Sequence, residues 1–204
     1  NVEEELLNAG LIDQEHIGFQ QKNYACYDLE TTEELTEDDT RQQAVLKLLS
    51  ISFMSTFDSS PACLVRPDDS DEACLSIVKK FVRMVEDQTR QFAEVLPKKF
   101  AESLEYIQKT ESDRRKEQKR CRDEGVPYKL ELFPMEWKNY LRSLMTFKVF
   151  GFNSSRFDAK VIAPMFFDLK LSDKDDTSKG NLKLDVLKRG SSYFSYKYNS
   201  NGCF

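Results

Sequence analysis

Apolar positions along the 204-residue chain switch between strand and helix spacing. Residues 1 to 20 read as a short helix and a connector. Three strand candidates follow: Tyr24 to Leu29, the apolar-rich "AVLKLLSISFMSTF" from Ala44 to Phe57, and "ACLVR" from Ala62 to Arg66. The turn-forming run Asp58-Ser59-Ser60-Pro61 separates the last two and predicts a hairpin or sharp connection. From Pro67 the period becomes helical. Leu75, Val78, Phe81, Val82, Val85, Phe92, Val95 and Leu96 recur at that spacing, with Asp68 to Asp71 supplying a cap. The face predicted to be buried is Leu75, Val78, Val82, Val85 and Phe92. Pro97 closes this helix and permits a second, which buries Phe100, Leu104 and Ile107.

Beyond Ile107 the apolar stripe stops, and "TESDRRKEQKRCRDEG" is almost wholly charged or polar. Arg114, Arg115, Lys116, Lys119, Arg120 and Arg122 in that run can be read as a basic strip that touches phosphates. They can equally be an exposed helix end with pairs such as Glu111 and Arg115, each worth only about 0.3 to 0.5 kcal/mol. The exposed helix is the favoured reading. Gly125 and Pro127 end it, "FPMEWKNYLRSLM" gives a short amphipathic helix through Trp137, Leu141 and Leu144, and "TFKVFGF" returns to strand character. Strands, a long helical stretch, then strand, helix and strands predict an α/β layer fold with helices around a central sheet.

Composition narrows the function classes. With 40% hydrophobic and 32% charged residues and few Gly and Pro, the chain reads as globular rather than disordered. A formal charge of −5 argues against coating nucleic acid through bulk positive charge, while leaving room for a nucleic-acid end held through metals and a local basic strip. The five cysteines, at 26, 63, 74, 121 and 203, are odd in number and form no Cys-x-x-Cys pair. A zinc ribbon is disfavoured, and a reducing intracellular compartment (nucleus, cytoplasm or mitochondrion) is the simpler assumption. The single histidine, His16, sits in an acidic segment and reads as a surface residue. No apolar run approaches the ~18 residues of a membrane span, so no membrane partner is expected. The first residue is Asn and no signal-like segment follows, so the start reads as a cut rather than a natural terminus.

Two acidic stretches carry the candidate chemistry. In "NYACYDLETTEE", residues 23 to 34, Asp28 and Glu30 are two apart where the first strand is expected to end, so they point to one face. Like charges placed together repel unless something positive joins them, and an oxygen-rich pair suits magnesium or manganese. The alternative is a strand running into a solvated acidic turn, since Glu33, Glu34, Glu37, Asp38 and Asp39 follow. The second stretch is "VFGFNSSRFDAKVIAP", residues 149 to 164. A strand ends at Gly151-Phe152, Asn153 and Ser154 supply a capping environment, and Asp158 falls near the first turn of a helix. Phe157, Val161, Ile162 and Met165 give that helix its buried side.

"YDLETT" resembles the first exonuclease motif, Asp-x-Glu-Thr, of family B DNA polymerases, and "GFNSSRFD" resembles the second, Asn-x2-3-(Phe/Tyr)-Asp. The flavour is that of the protein-primed group found in viruses, organelles, linear plasmids and polinton-type mobile elements. "VLKRGSSYFSYKYNSNGCF" also resembles the strand pair that follows the second motif. The resemblance spans roughly residues 20 to 204, with the helical insert 68 to 146 carrying none of it. It implies a ribonuclease-H-like, DnaQ-type exonuclease fold: a mixed central sheet with flanking helices. Residues 1 to 20 would be an N-terminal helix and connector, and 21 to 204 an exonuclease-like domain incomplete at its C-terminal end.

The same resemblance implies a function for individual residues. Asp28, Glu30 and Asp158 would be the catalytic ligands of a two-metal Mg²⁺ or Mn²⁺ site that hydrolyses the phosphodiester at a DNA 3′ end. Thr31 and Asn153 would hydrogen-bond the frayed single-stranded end, and Phe157 would pack on its base or sugar. A terminal protein primer is a further implied partner. The third family motif, Tyr-x3-Asp, is missing after Asp158: the aspartates there are Asp168, Asp173, Asp175, Asp176 and Asp185, none has Tyr four places before it, and Asn181 holds that place before Asp185. The polymerase motifs are absent as well. Two readings therefore stand, a piece of a proofreading polymerase and a non-catalytic ribonuclease-H-like module that binds nucleic acid or protein, ahead of a third, a structural domain with incidental acids, which leaves the paired motifs unexplained.

Overall fold

A computed structural model describes residues 1–36, 43–151, 161–162, 183–189 and 192–199. The chain divides into two compact units, one of Asn1–Lys22 with Val95–Phe147 and one of Asn23–Glu94 with Lys148–Phe204. The segments read as an N-terminal connector and a single helical insert are thus grouped differently. The N-terminal segment joins the later helices, and the first long helix belongs with the sheet.

The second unit is α/β. Its strands β1 (Tyr24–Thr36), β2 (Gln43–Ser55), β3 (Asp58–Val65) and β4 (Lys148–Gly151) form one mixed sheet in the order β3-β2-β1-β4. The β1–β2 and β2–β3 pairs are antiparallel, and β4 runs parallel to β1. Alternation along β1 sends Ala25 and Leu29 into the core and leaves Asp28 and Glu30 exposed. Helix α3 (Asp71–Val95; the short helices α1, Val2–Asn8, and α2, Phe19–Lys22, precede it in the chain) packs on the core side. Its Phe81 ring meets Tyr27 at 5.3 Å and Phe53 at 5.7 Å between centroids. Ser70 begins α3: its Oγ accepts from Ala73 N–H at 3.1 Å, and its own N–H and hydroxyl both donate to Asp68. Those two bonds, the hydroxyl's first, hold the Asp68 carboxyl below its ordinary value.

Three expectations change in this unit. β1 continues to Thr36 rather than ending at Leu29, because it pairs with β2 through Gln43, so Asp28 and Glu30 sit mid-strand. The run Asp58 to Pro61 lies inside β3 and not in the turn. Ser55 pairs with Asp58, which leaves Thr56 and Phe57 as the loop. Pro61 is tolerated there because β3 is the outer strand of the described sheet and Pro61 falls in the irregularity between Phe53–Ala62 and Ser55–Asp58, where it has no ladder partner. On α3 the buried line is Ala73, Cys74, Ile77, Val78, Phe81, Gln88 and Phe92, with Leu75, Val82 and Val85 half-buried on its flank. Ala73, Cys74 and Gln88 on that line are small or polar and carry little weight in a hydrophobic count, whereas Ile77 is a large apolar residue that the predicted stripe left out.

Residues Lys183–Arg189 (β5) and Ser192–Asn199 (β6) form an antiparallel pair in the stretch where a strand pair is expected.

The first unit contains α1 (Val2–Asn8), a 3₁₀ turn (Gln14–His16), α2 (Phe19–Lys22), α4 (Lys98–Asp123) and α5 (Met135–Leu144). Leu6, Leu11, Ile12, Phe100, Ile107, Leu141 and Leu144 form its core. The N-terminal segment is therefore a packed element. Ser103 Oγ donates to the Leu11 carbonyl at 2.6 Å, Trp137 Nε1 to Glu5 at 2.8 Å, and the Tyr140 hydroxyl to Glu3. Burial and that bond to a carboxylate push the Tyr140 hydroxyl well above its ordinary value.

His16 is buried, not on the surface, because its ring packs edge-on to Phe100 at 4.9 Å and its Nδ1 accepts from Asp13 N–H at 3.0 Å. Glu111 is also buried, and its ion-pair partner is Lys138 at 2.8 Å rather than Arg115. Burial raises the Glu111 carboxyl, but Lys138 and the N–H of Phe133 more than offset it, leaving it below its ordinary value. The basic run behaves as a solvated helix. Arg115, Lys116, Lys119, Arg120 and Arg122 are exposed, with Lys116 on Asp113 and Arg120 on Glu117. Arg114 is half-buried, donates to the Glu131 carbonyl at 2.8 Å and lies over the Phe133 ring.

Candidate functional site

Asp28 and Glu30 stand on one face of β1 with buried Leu29 between them on the other. Their neighbours on β2 are small: Asp28 is level with Ser52 and Glu30 with Ser50. Short serine side chains leave the carboxylates open to solvent, and among the described residues no side chain pairs with either. Thr31, the next residue, is half-buried and level with Leu48. The pairing jumps from Glu30–Ser50 to Thr31–Leu48, so Leu49 is an extra residue on β2 opposite the acidic segment.

Parallel pairing puts β4 beside this segment. Tyr27, the residue before Asp28, is level with Gly151, the last described residue of β4. Asn153, Phe157 and Asp158 lie outside the described residues. Just beyond them, Val161 and Ile162 are helical, with Ile162 fully buried and Val161 half-buried, as the amphipathic pattern of that stretch requires.

Beside Asp28 the same sheet unit has an open depression of about 440 Å³, walled by Cys26, Met54, Pro61 and Phe150 and edged by Asp28 and Ser52. Met54 and Phe150 are each about half exposed. An apolar wall beside an exposed carboxylate suits a ligand with a flat apolar part and a charged or metal-bound part. None of the wall residues belongs to a motif. The signal available was alternation: Cys26, Asp28 and Glu30 share a parity, as do Ser52 and Met54, which β-pairing then aligns.

Arg66 was legible only as a strand end, yet it is the most connected polar residue here. Its guanidinium is buried and donates to Thr32 Oγ1 at 3.0 Å and Asp69 Oδ1 at 2.5 Å, with Cys74 Sγ at 3.9 Å. Its backbone N–H donates to the carbonyl of Leu49, the extra residue, at 3.0 Å.

In the helical unit, Asp13, Glu15 and His16 form a second group able to hold a metal ion, with one ligand atom from each within 4.8 Å of the others. Reading His16 as a surface residue hid it. The hydrogen bond from Asp13 N–H occupies the Nδ1 lone pair, so a neutral His16 carries its proton on Nε2 and would have to give up that bond to ligate.

Comparison of the chain with protein-family models, curated proteins and solved structures gives no match.

Proposed function

We propose that the sheet unit is the 3′-to-5′ exonuclease part of a protein-primed family B DNA polymerase, with a ribonuclease-H-like fold. The observation that carries this reading is the pair Asp28 and Glu30, exposed side by side with no cationic side chain to neutralise them among the described residues. Four further features support it: a first strand bearing the acids, an antiparallel meander from it, a fourth strand parallel beside it, and the second motif beginning at that strand's Gly151.

The donor set fits Mg²⁺ or Mn²⁺. Both residues offer hard carboxylate oxygens, and a divalent ion relieves the repulsion between them. Bound there, such ions would activate a water and stabilise charge on the phosphate and the leaving 3′ oxygen. Asp28 and Glu30 hold the ions, and Asp158, seven residues beyond Gly151, completes the set. The depression walled by Met54, Pro61 and Phe150 takes the terminal base by stacking and apolar contact. Thr31 and Asn153 hold the sugar-phosphate, and Phe157 covers the end.

Anisotropy of a labelled single-stranded oligonucleotide, titrated with and without Mn²⁺, tests the proposal. Binding should strengthen with Mn²⁺, and that increment should vanish in Asp28→Asn. Since none of the aspartates after Asp158 has Tyr four places before it, trimming from the 3′ end should be slow. Binding that ignores both the ion and Asp28 would replace the enzyme by a nucleic-acid-binding module.

A further inference from the structure

We infer that Arg66 is a positioning residue for Glu30, aiming its carboxylate toward Asp28; this rests on the metal-site reading above. Arg66 touches neither acid. Instead it ties both sides of the irregularity where Glu30 sits. On β2, its N–H takes the carbonyl of Leu49, the residue left out of the pairing between Glu30–Ser50 and Thr31–Leu48. On β1, its guanidinium takes the hydroxyl of Thr32, two residues past Glu30. The same guanidinium is anchored to Asp69, in the turn before α3, and lies against Cys74 in its first turns.

An extra residue in one strand bends the pair and increases its local twist, which re-aims the neighbouring side chains. The bend has to be held. A regular ladder would otherwise compete by slipping one residue, which would turn Glu30 to the core face. A planar fork with several donors can fix two directions at once, and an ammonium cannot do so with the same geometry. Burial strengthens the case: a guanidinium this well enclosed is costly unless its bonds are made, so the arrangement resists relaxation.

The experiment measures Mn²⁺ affinity by water-proton relaxation on the full chain, in the Arg66→Met and Thr32→Val variants. Each is made in the natural background and in Glu30→Gln. Thr32→Val removes only the accepting hydroxyl and keeps the side-chain shape, so it decides the matter if Arg66→Met fails to fold. Acting through Glu30, each change should raise the dissociation constant by about 10- to 100-fold, as loss of a residue that orients a ligand does. In the Glu30→Gln background neither should add a further loss. Equal losses in both backgrounds would make Arg66 a general structural residue and overturn the inference, as would unchanged affinity. Asp28→Asn is measured alongside. If it too leaves affinity unchanged, the metal site itself falls and the role of Arg66 falls with it; if it weakens binding while Arg66→Met and Thr32→Val do not, only the positioning role fails.

Discussion

Tyr27 of β1 lies level with Gly151 of β4 on parallel neighbouring strands. Parallel strands are about 4.8 Å apart, so the backbone of Gly151 lies about one strand spacing from Tyr27, the residue before Asp28. This relationship links the two acidic stretches of the sequence, which are more than a hundred positions apart.

The buried pair Glu111–Lys138 joins α4 to α5 and also caps the N–H of Phe133. Lys138→Met should destabilise the helical unit by roughly 3 to 5 kcal/mol, because it leaves a buried carboxylate without its counter-charge. Denaturant unfolding followed by the fluorescence of Trp137, the one tryptophan, reads this directly. Replacing both members with apolar residues should restore most of the loss.

The same pair sets an acid limit. Glu111 has a folded value depressed below its ordinary 4.5, so the unfolded chain takes up its proton first as pH falls. The stabilisation is fully present above about pH 4.5 and is lost as pH drops through the lowered folded value. Trp137 fluorescence should therefore report falling denaturant resistance below that point, and Glu111→Gln should flatten the dependence.

Phe81 packs against Tyr27 and Phe53. Phe81→Ala should cost the sheet unit about 3 to 5 kcal/mol through the cavity it leaves, whereas Val82→Ala on the flank should cost distinctly less. Amide exchange at Leu29 and Ile51, both core residues of the sheet, separates the two variants.

Much of this was legible along the chain. The strands, the helices closed by Pro97, the solvated basic run and the shared face of Asp28 and Glu30 all follow from period and punctuation. What was not legible depends on partners distant in sequence. Glu111 looked like a surface acid until Lys138 met it across two helices. His16 was hidden because a polar ring can be buried when a backbone N–H, here that of Asp13, satisfies it. The run Asp58 to Pro61 resembled a turn because the sequence does not reveal that β3 is an edge strand. Arg66 gave no signal, since its bonds to Thr32 and Leu49 exist only once the sheet is paired.

The measurement closest to the central claim is paramagnetic broadening of amide signals by a sub-stoichiometric Mn²⁺ titration. If Asp28, Glu30 and Asp158 share one site, signals at residues 28 to 31 and around 158 broaden together. Asp28→Asn and Asp158→Asn should each remove the broadening from both stretches. Contradiction would be broadening confined to Asp13, Glu15 and His16, or loss at residues 28 to 31 in Asp28→Asn with none in Asp158→Asn.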